Sequence, residues 1–296
     1  MKLLVTGREG QLARSLLERA SAYPDIDVTA LGRPDLDLER PESARRAIRE
    51  LRPDMVVNAA AYTAVDQAEQ EPYRAFRINA HGAGEVAAAA SEVGAAIIHL
   101  STDYVFDGSA RVPWQPGDAT GPLNIYGASK LAGEEQVSAA NPKHLIIRTS
   151  WVFSPFGRNF MRTMLRLGAE REEVRVVSDQ QGCPTNALDL ADAILTVASR
   201  WSEGSQAGVG ATMHVAGAER CSWAEFAEAV FEASGQIAGP VARVVPVPSS
   251  EFPTPARRPT WSVLDCTAFE QAFDFPMRSW RKGLSETVSR ILRDVG

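Results

Sequence analysis

The apolar positions of this chain alternate between short continuous runs and helical stripes, and that alternation organises its first half. Leu3, Leu4, Val5 and Thr6 form a β-leaning run that stops at Gly7. From Leu12 the spacing changes, and Leu12, Leu16, Leu17 and Ala20 predict a helix. Further strand-like runs cover residues 28–31, 55–58, 95–100 and 145–148. Residues 72–92, rich in alanine, read as one long helix with Asn79 near its middle. Residues 109–125 carry Pro113, Pro116, Gly117, Gly121 and Pro122 and read as irregular loop, after which Tyr126, Lys130, Leu131, Glu134 and Val137 take up helical spacing. Strands alternating with helices in this way predict an α/β fold, a Rossmann-like doubly wound parallel sheet.

The second half is less regular. It offers helices at 160–167, 188–198, 222–234 and 283–293, strands at 174–177 and 212–217, and a proline-rich stretch at 240–259. No internal repeat or low-complexity linker separates the halves. The expected organisation is a dinucleotide-binding domain over 1–150, to which residues 188–216 return, and a smaller interleaved α/β substrate domain mainly over 151–296.

Composition narrows the function classes. The chain has 296 residues, 45% of them apolar, enough for a substantial core, and its net charge of −6 argues against nucleic acid or an anionic membrane as a partner. The apolar stretch before Gly7 is too short for a signal peptide and no run nears the length of a membrane span, so a cytoplasmic protein is expected. Cys183, Cys221 and Cys266 are odd in number and far apart, which suggests packing rather than disulfides or zinc, and His81, His99, His144 and His214 are scattered.

The candidate chemistry lies at strand ends. Gly7 suits a tight turn, Gly10 lets the backbone approach a diphosphate, and Ala13 is small enough for close helix–strand packing, so the first strand–turn–helix unit is a candidate dinucleotide cradle. Arg33, after the second strand, suits the 2′-phosphate of NADP, while Asp35 and Asp37 leave NAD as an alternative. Ala60, Ala61 and Tyr62 follow the third strand, where small side chains admit a flat dinucleotide. Thr102 ends the fourth strand, at the ligand edge of such a sheet, and Tyr126 and Lys130 stand one helical turn apart. A hydroxyl, a phenol and an ammonium together can deliver a proton to a ketone as reduced nicotinamide delivers hydride, the ammonium drawing the phenol's pKa down toward neutrality.

These residues resemble the extended short-chain dehydrogenase/reductases and, within them, the dTDP-4-dehydrorhamnose reductase family. The resemblance runs through LLVTGREGQLA (3–13), NAAAYTAVDQAE (58–69), STDYVFDG (101–108), YGASK (126–130), RTSWVF (148–153), SDQQGCPT (178–185) and RPTWSVLD (258–265). It implies NADPH-dependent reduction, with NADH an alternative, of dTDP-4-dehydro-β-L-rhamnose to dTDP-L-rhamnose. It implies Thr102, Tyr126 and Lys130 as catalytic. Gly7, Gly10, Gln11, Leu12, Arg33, Asp37, Leu38, Ala60, Ala61, Tyr62 and Lys130 would contact the cofactor. Asp103, Tyr104 and Trp151 would line the sugar pocket, Arg257 and Arg258 would meet the diphosphate, and Asn79 would support the site. Some members hold Mg²⁺ with carboxylates at a homodimer contact. Leu188 interrupts that pattern here, so no metal is expected, and both a monomer and a homodimer remain open. Two other readings share the cofactor half: a regulatory subunit resembling methionine adenosyltransferase β, and another nucleotide-sugar epimerase or dehydratase.

Overall fold

The computed structural model describes residues 1–293. In the first half β1 (Lys2–Thr6) leads to α1 (Gln11–Arg19), β2 (Asp27–Leu31), α2 (Pro41–Leu51) and β3 (Met55–Asn58). Two short helices, α3 (Val65–Ala68) and α4 (Pro72–Phe76), precede a π-helical turn (Arg77–Gly82), followed by α5 (Ala83–Glu92), β4 (Ala96–Thr102), α6 (Ile125–Ala140) and β5 (His144–Thr149). The second half adds β6 (Val152–Phe153), α7 (Phe160–Glu170), β7 (Glu173–Val177), β8 (Gln181–Gly182), β9 (Thr185–Asn186), α8 (Ala187–Ser202) and β10 (Ala211–His214). It closes with β11 (Cys221–Ser222), α9 (Trp223–Gly235), β12 (Arg243–Val247), α10 (Thr267–Phe273) and α11 (Trp280–Arg293).

Six parallel strands form the central sheet in the order β10-β5-β4-β3-β1-β2. The apolar runs of β1, β3, β4 and β5 are buried on both faces, which is why they read as continuous rather than alternating, whereas the edge strand β2 is only partly buried. Leu12, Ala13 and Leu16 of α1 share one core with Leu190, Ile194 and Val197 of α8, while Ala44 and Ile48 of α2 pack with Val86, Ala87 and Ala90 of α5 in another. A third core gathers Phe153, Met161 and Leu165 with Val174, Phe226, Val230, Trp280 and Leu284, so α7, α9 and α11 form a separate layer beyond the sheet. The segment α8–β10 thus lies with the central sheet although it comes from the second half.

Three expectations need correction. The helix expected over 72–92 is interrupted by the π-helical turn, because Asn79 spends its side chain on other segments. The stretch 240–259 contains β12, which pairs in parallel with β7 alone. Pro246 lies within it, and a two-stranded ladder leaves an edge on which the missing N–H costs nothing. The strand expected at 212–217 is also shorter, ending at His214.

Candidate active site

The glycine turn forms a cradle. Gly7 has φ +90°, and a Cβ there would stand 3.2 Å from Ala60. Gly10 caps α1 in extended conformation with no side-chain hydrogen bond, so the first N–H groups of the helix await an acceptor. The cradle therefore fits a diphosphate, which helix N-terminal N–H groups and the macrodipole both favour. Gln11 and Leu12 can take part only through the backbone. The Gln11 amide binds the Val152 carbonyl (3.3 Å), Ser154 (2.8 Å) and Asn159 (2.9 Å), and Leu12 lies in the core.

Arg33 is exposed at the end of β2, and its carbonyl accepts from Arg8 Nη2 (3.0 Å). Arg8 also lies 3.6 Å from Asp35 and backs onto Gly32, so two arginines stand where the sequence pointed to one. Asp37 folds back to accept from the Glu39 N–H (3.0 Å), and Leu38 is buried against Gly82. Ala60 and Ala61 are half-buried beside Gly7. The Tyr62 N–H donates to Asn79 Oδ1 (2.7 Å), while Asn79 Nδ2 donates to the Tyr62 carbonyl (3.1 Å) and to Ser129 Oγ (2.9 Å), tying the β3 loop to α6.

β4 carries Thr102 to the ligand edge, and α6 brings Tyr126 and Lys130 beside it. Asn124 caps α6 by accepting from the Gly127 N–H (2.8 Å) and donates to the Arg257 carbonyl (2.8 Å). Gly127 is obligatory because a Cβ would lie 2.2 Å from the Tyr104 carbonyl oxygen. The Thr102 hydroxyl donates to Asp103 Oδ1 (3.0 Å) and accepts from the Tyr104 N–H (3.2 Å). The rings of Tyr104 and Tyr126 meet edge to face at 6.0 Å. Beneath them Glu134 and Arg148 form a buried ion pair (2.7 Å), with Ser101 donating to Glu134 (2.5 Å), which fixes α6 on β4 and β5.

Burial dominates the electrostatics. It pushes the Tyr126 phenol up to about 12, against a smaller lowering from its hydrogen bond with Thr102. It brings Lys130 down to about 8, with Glu134 working the other way. Lys130 Nζ donates to the Leu100 carbonyl (2.5 Å) rather than acting on the phenol, so the expected drawing down of Tyr126 by Lys130 is absent here. Burial likewise pushes Asp103 up to about 7, although Ser262 and Thr102 lower it. Asp103 Oδ2 has no hydrogen-bond partner; the Ser262 hydroxyl, which lies close enough to lower the carboxyl, makes its own long bond to the Gln181 carbonyl (3.4 Å).

Trp151 has φ +47° and stacks on Trp223 with ring centroids 3.4 Å apart, in a space that Gly182 leaves open. Arg257 is exposed. Arg258 is half-buried and grips Asp66 with two hydrogen bonds (3.1 and 2.8 Å), which holds the RPTWSVLD segment over α3. Among the described residues no group of three or more His, Cys, Asp or Glu is arranged to hold a metal, and Asp189, beside Leu188, pairs with Arg278. No helix among them is long and apolar enough to cross a membrane.

The RmlD substrate binding domain family matches residues 1–293. A dTDP-4-dehydrorhamnose reductase of Sinorhizobium fredii is 45% identical over 292 residues, 99% of this chain and 98% of that protein. The crystal structure of a dTDP-4-dehydrorhamnose reductase from Clostridium acetobutylicum superposes with TM-score 0.90 at 38% identity, covering 99% of this chain and 100% of the other. That of the Bacillus anthracis reductase in complex with NADP gives 0.89 at 37% identity, covering 98% and 99%. This chain belongs to the dTDP-4-dehydrorhamnose reductase family. Its fold is that of the extended short-chain dehydrogenase/reductases.

Against the motifs of that reductase family, several residues of the site carried no signal of their own. Asn58 and His99 lie in strand-like runs, Arg8 in the glycine turn, and Asp66 and Ser262 inside segments that carry the family resemblance, none of them with a role of its own. Their partners come from 25 to 192 residues away, at distances that no local pattern encodes. Glu134 was visible only as part of a helical stripe, and its pairing with Arg148 depends on α6 crossing β5.

Proposed function

We propose that the protein reduces the C4 ketone of dTDP-4-dehydro-β-L-rhamnose to dTDP-L-rhamnose with NADPH, Tyr126 donating the proton. The observation that carries this reading is the placing of Thr102, Tyr126 and Lys130 at the carboxyl edge of β4, beside an uncapped α1 and its glycine turn. Gly7, Gly10 and the backbone of Gln11 and Leu12 would hold the cofactor diphosphate. Arg33, with Arg8, would meet the 2′-phosphate, and Asp37 and Leu38 would border the adenosine. Ala60, Ala61 and Tyr62 would flank the dinucleotide, and Lys130 would reach the nicotinamide ribose. The reduced nicotinamide, when bound, supplies the hydride that C4 accepts.

The chain's own residues handle the proton. Tyr126 keeps its proton well above neutral pH, as a donor must. Thr102 orients the ketone: its hydroxyl turns from Asp103 to the ketone oxygen while still accepting from the Tyr104 N–H. Asp103, whose Oδ2 has no partner, accepts from a sugar hydroxyl. Tyr104 and Trp151 border the sugar, and Arg257 and Arg258 take the diphosphate, Arg258 being steadied by Asp66. As the ketone oxygen gains the phenolic proton, Lys130 stands one turn away to replace it.

The test follows NADPH consumption with the ketosugar for wild type and Tyr126→Phe. General-acid assistance of this kind is worth roughly 10² to 10⁴, so the variant should lose at least about 10²-fold in turnover while still binding NADPH. Undiminished turnover in the variant would remove Tyr126 from the reaction.

A further inference from the structure

A line of buried polar side chains runs from the glycine turn to Lys130. The Ala60 N–H donates to Thr6 Oγ1 (2.9 Å), and Thr6 passes its own proton to Asn58 Oδ1 (2.8 Å). Asn58 therefore turns its amide nitrogen to His99 Nδ1 (3.0 Å). An amide nitrogen can only donate, so Nδ1 is the acceptor. Reversing the Asn58 amide would strand the Thr6 hydroxyl proton in a wholly buried place, at the cost of an unsatisfied polar group. His99 is itself completely buried, and burial first, then the charge of Lys130, keep it neutral. A neutral imidazole that accepts at Nδ1 carries its proton on Nε2. Nε2 is the atom that faces Lys130 Nζ, at 3.5 Å.

The consequence concerns the lysine. Against an ammonium, the Nε2–H places donor against donor. Against a neutral amine, the same N–H has a lone pair to bind. We infer that His99, its proton held on Nε2 by Thr6 and Asn58, is a positioning residue that makes Lys130 ready to release a proton. This inference rests on the reading of Tyr126 and Lys130 as the proton-delivering pair. In the step it serves, the phenolate left after Tyr126 protonates the ketone oxygen takes a proton from the Lys130 ammonium. An N–H bond breaks, an O–H bond forms, and the amine is held by His99 Nε2–H until water restores its proton.

Other groups also bear on the lysine: the Leu100 carbonyl of β4 accepts from Lys130 Nζ (2.5 Å), a bond that the ammonium and the neutral amine can both donate. On α6, Glu134 favours the ammonium, but its carboxylate is engaged by Arg148 of β5 and by Ser101 of β4. Tyr126 and Asp103 are held largely protonated below neutrality by burial, and His81 of the π-helical turn is exposed. Asn58 of β3 is uncharged. His99 is thus the polar side chain that sets the lysine's balance from the sheet side.

Two measurements test it. The first is ¹⁵N NMR of the histidine imidazoles in the wild-type protein, with the His99 signals recognised by their absence in His99→Phe. The expected result is a protonated Nε2 and a bare Nδ1 throughout the neutral range; an imidazolium, or a proton on Nδ1, overturns the inference without needing any variant to be active. The second is the pH profile of turnover. His99→Phe should move the basic limb upward by about one pH unit, since one unit is the scale of a single lost polar interaction. If Lys130→Met loses turnover but the limb of His99→Phe stays where it is, the inference fails and the reductase reading stands. If Lys130→Met turns over normally, the reading of the pair itself fails.

Discussion

At the scale of single residues, Asp103 shows how the site draws on stability. Its carboxyl is buried beside Thr102 and Tyr126 with one oxygen unpartnered, and burial pushes it up to about 7. The unfolded carboxyl ionises near pH 4, so the folded state binds the extra proton between these values. Stability from this group is complete below about pH 4 and is lost as pH rises to about 7. Asp103→Asn should therefore leave the melting temperature nearly unchanged below about pH 4 and raise stability by about 4 kcal/mol at pH 8. A gain independent of pH in thermal unfolding would contradict this account of the carboxyl. The sequence made Asp103, Tyr104, Tyr126 and Lys130 visible as motif residues. It could not reveal their protonation, because burial and the direction of Lys130 Nζ toward the Leu100 carbonyl are products of packing.

At the scale of elements, local spacing located α1, α6 and the strands of the central sheet because each has a continuous apolar run or stripe. It failed where another segment dictates the backbone. The alanine-rich pattern over 72–92 favours an unbroken helix, yet Asn79 bridges Tyr62 and Ser129, and the ladder widens there into a π-helical turn. Helix α6 packs against that turn so closely that a Cβ on Gly133 would stand 2.1 Å from the Asn79 carbonyl oxygen. We predict that Gly133→Ala costs about 2–4 kcal/mol by forcing α6 off the turn, with turnover falling as Lys130 and Tyr126 shift. Gly117→Ala, at an exposed position where a Cβ meets nothing within 4 Å, is the control and should melt like wild type. Equal melting temperatures for the two variants would show that the contact between α6 and the turn is loose.

At the scale of the whole molecule, the second half completes what the sheet edge begins. The Arg257 carbonyl accepts from Asn124, Arg258 grips Asp66, and Ser262 lies by Asp103, so the segment after β12 closes over the ends of β4 and α6. The boundary near residue 150 remains our proposal for dividing cofactor from substrate functions. Helix α8 and β10 belong with the first-half sheet in space. Our proposal of ketone reduction rests on Thr102, Tyr126, Lys130 and the glycine cradle. The sugar rests instead on the family to which the chain belongs, since no spacing of residues spells out a deoxyhexose. The most direct measurement supplies NADPH deuterated at the transferred position with dTDP-4-dehydro-β-L-rhamnose and follows the label. The account predicts one deuterium at C4 of dTDP-L-rhamnose for each NADP⁺ released. Label that stays with the cofactor, or sugar that changes configuration without net NADPH consumption, would contradict it and point to an epimerase cycle.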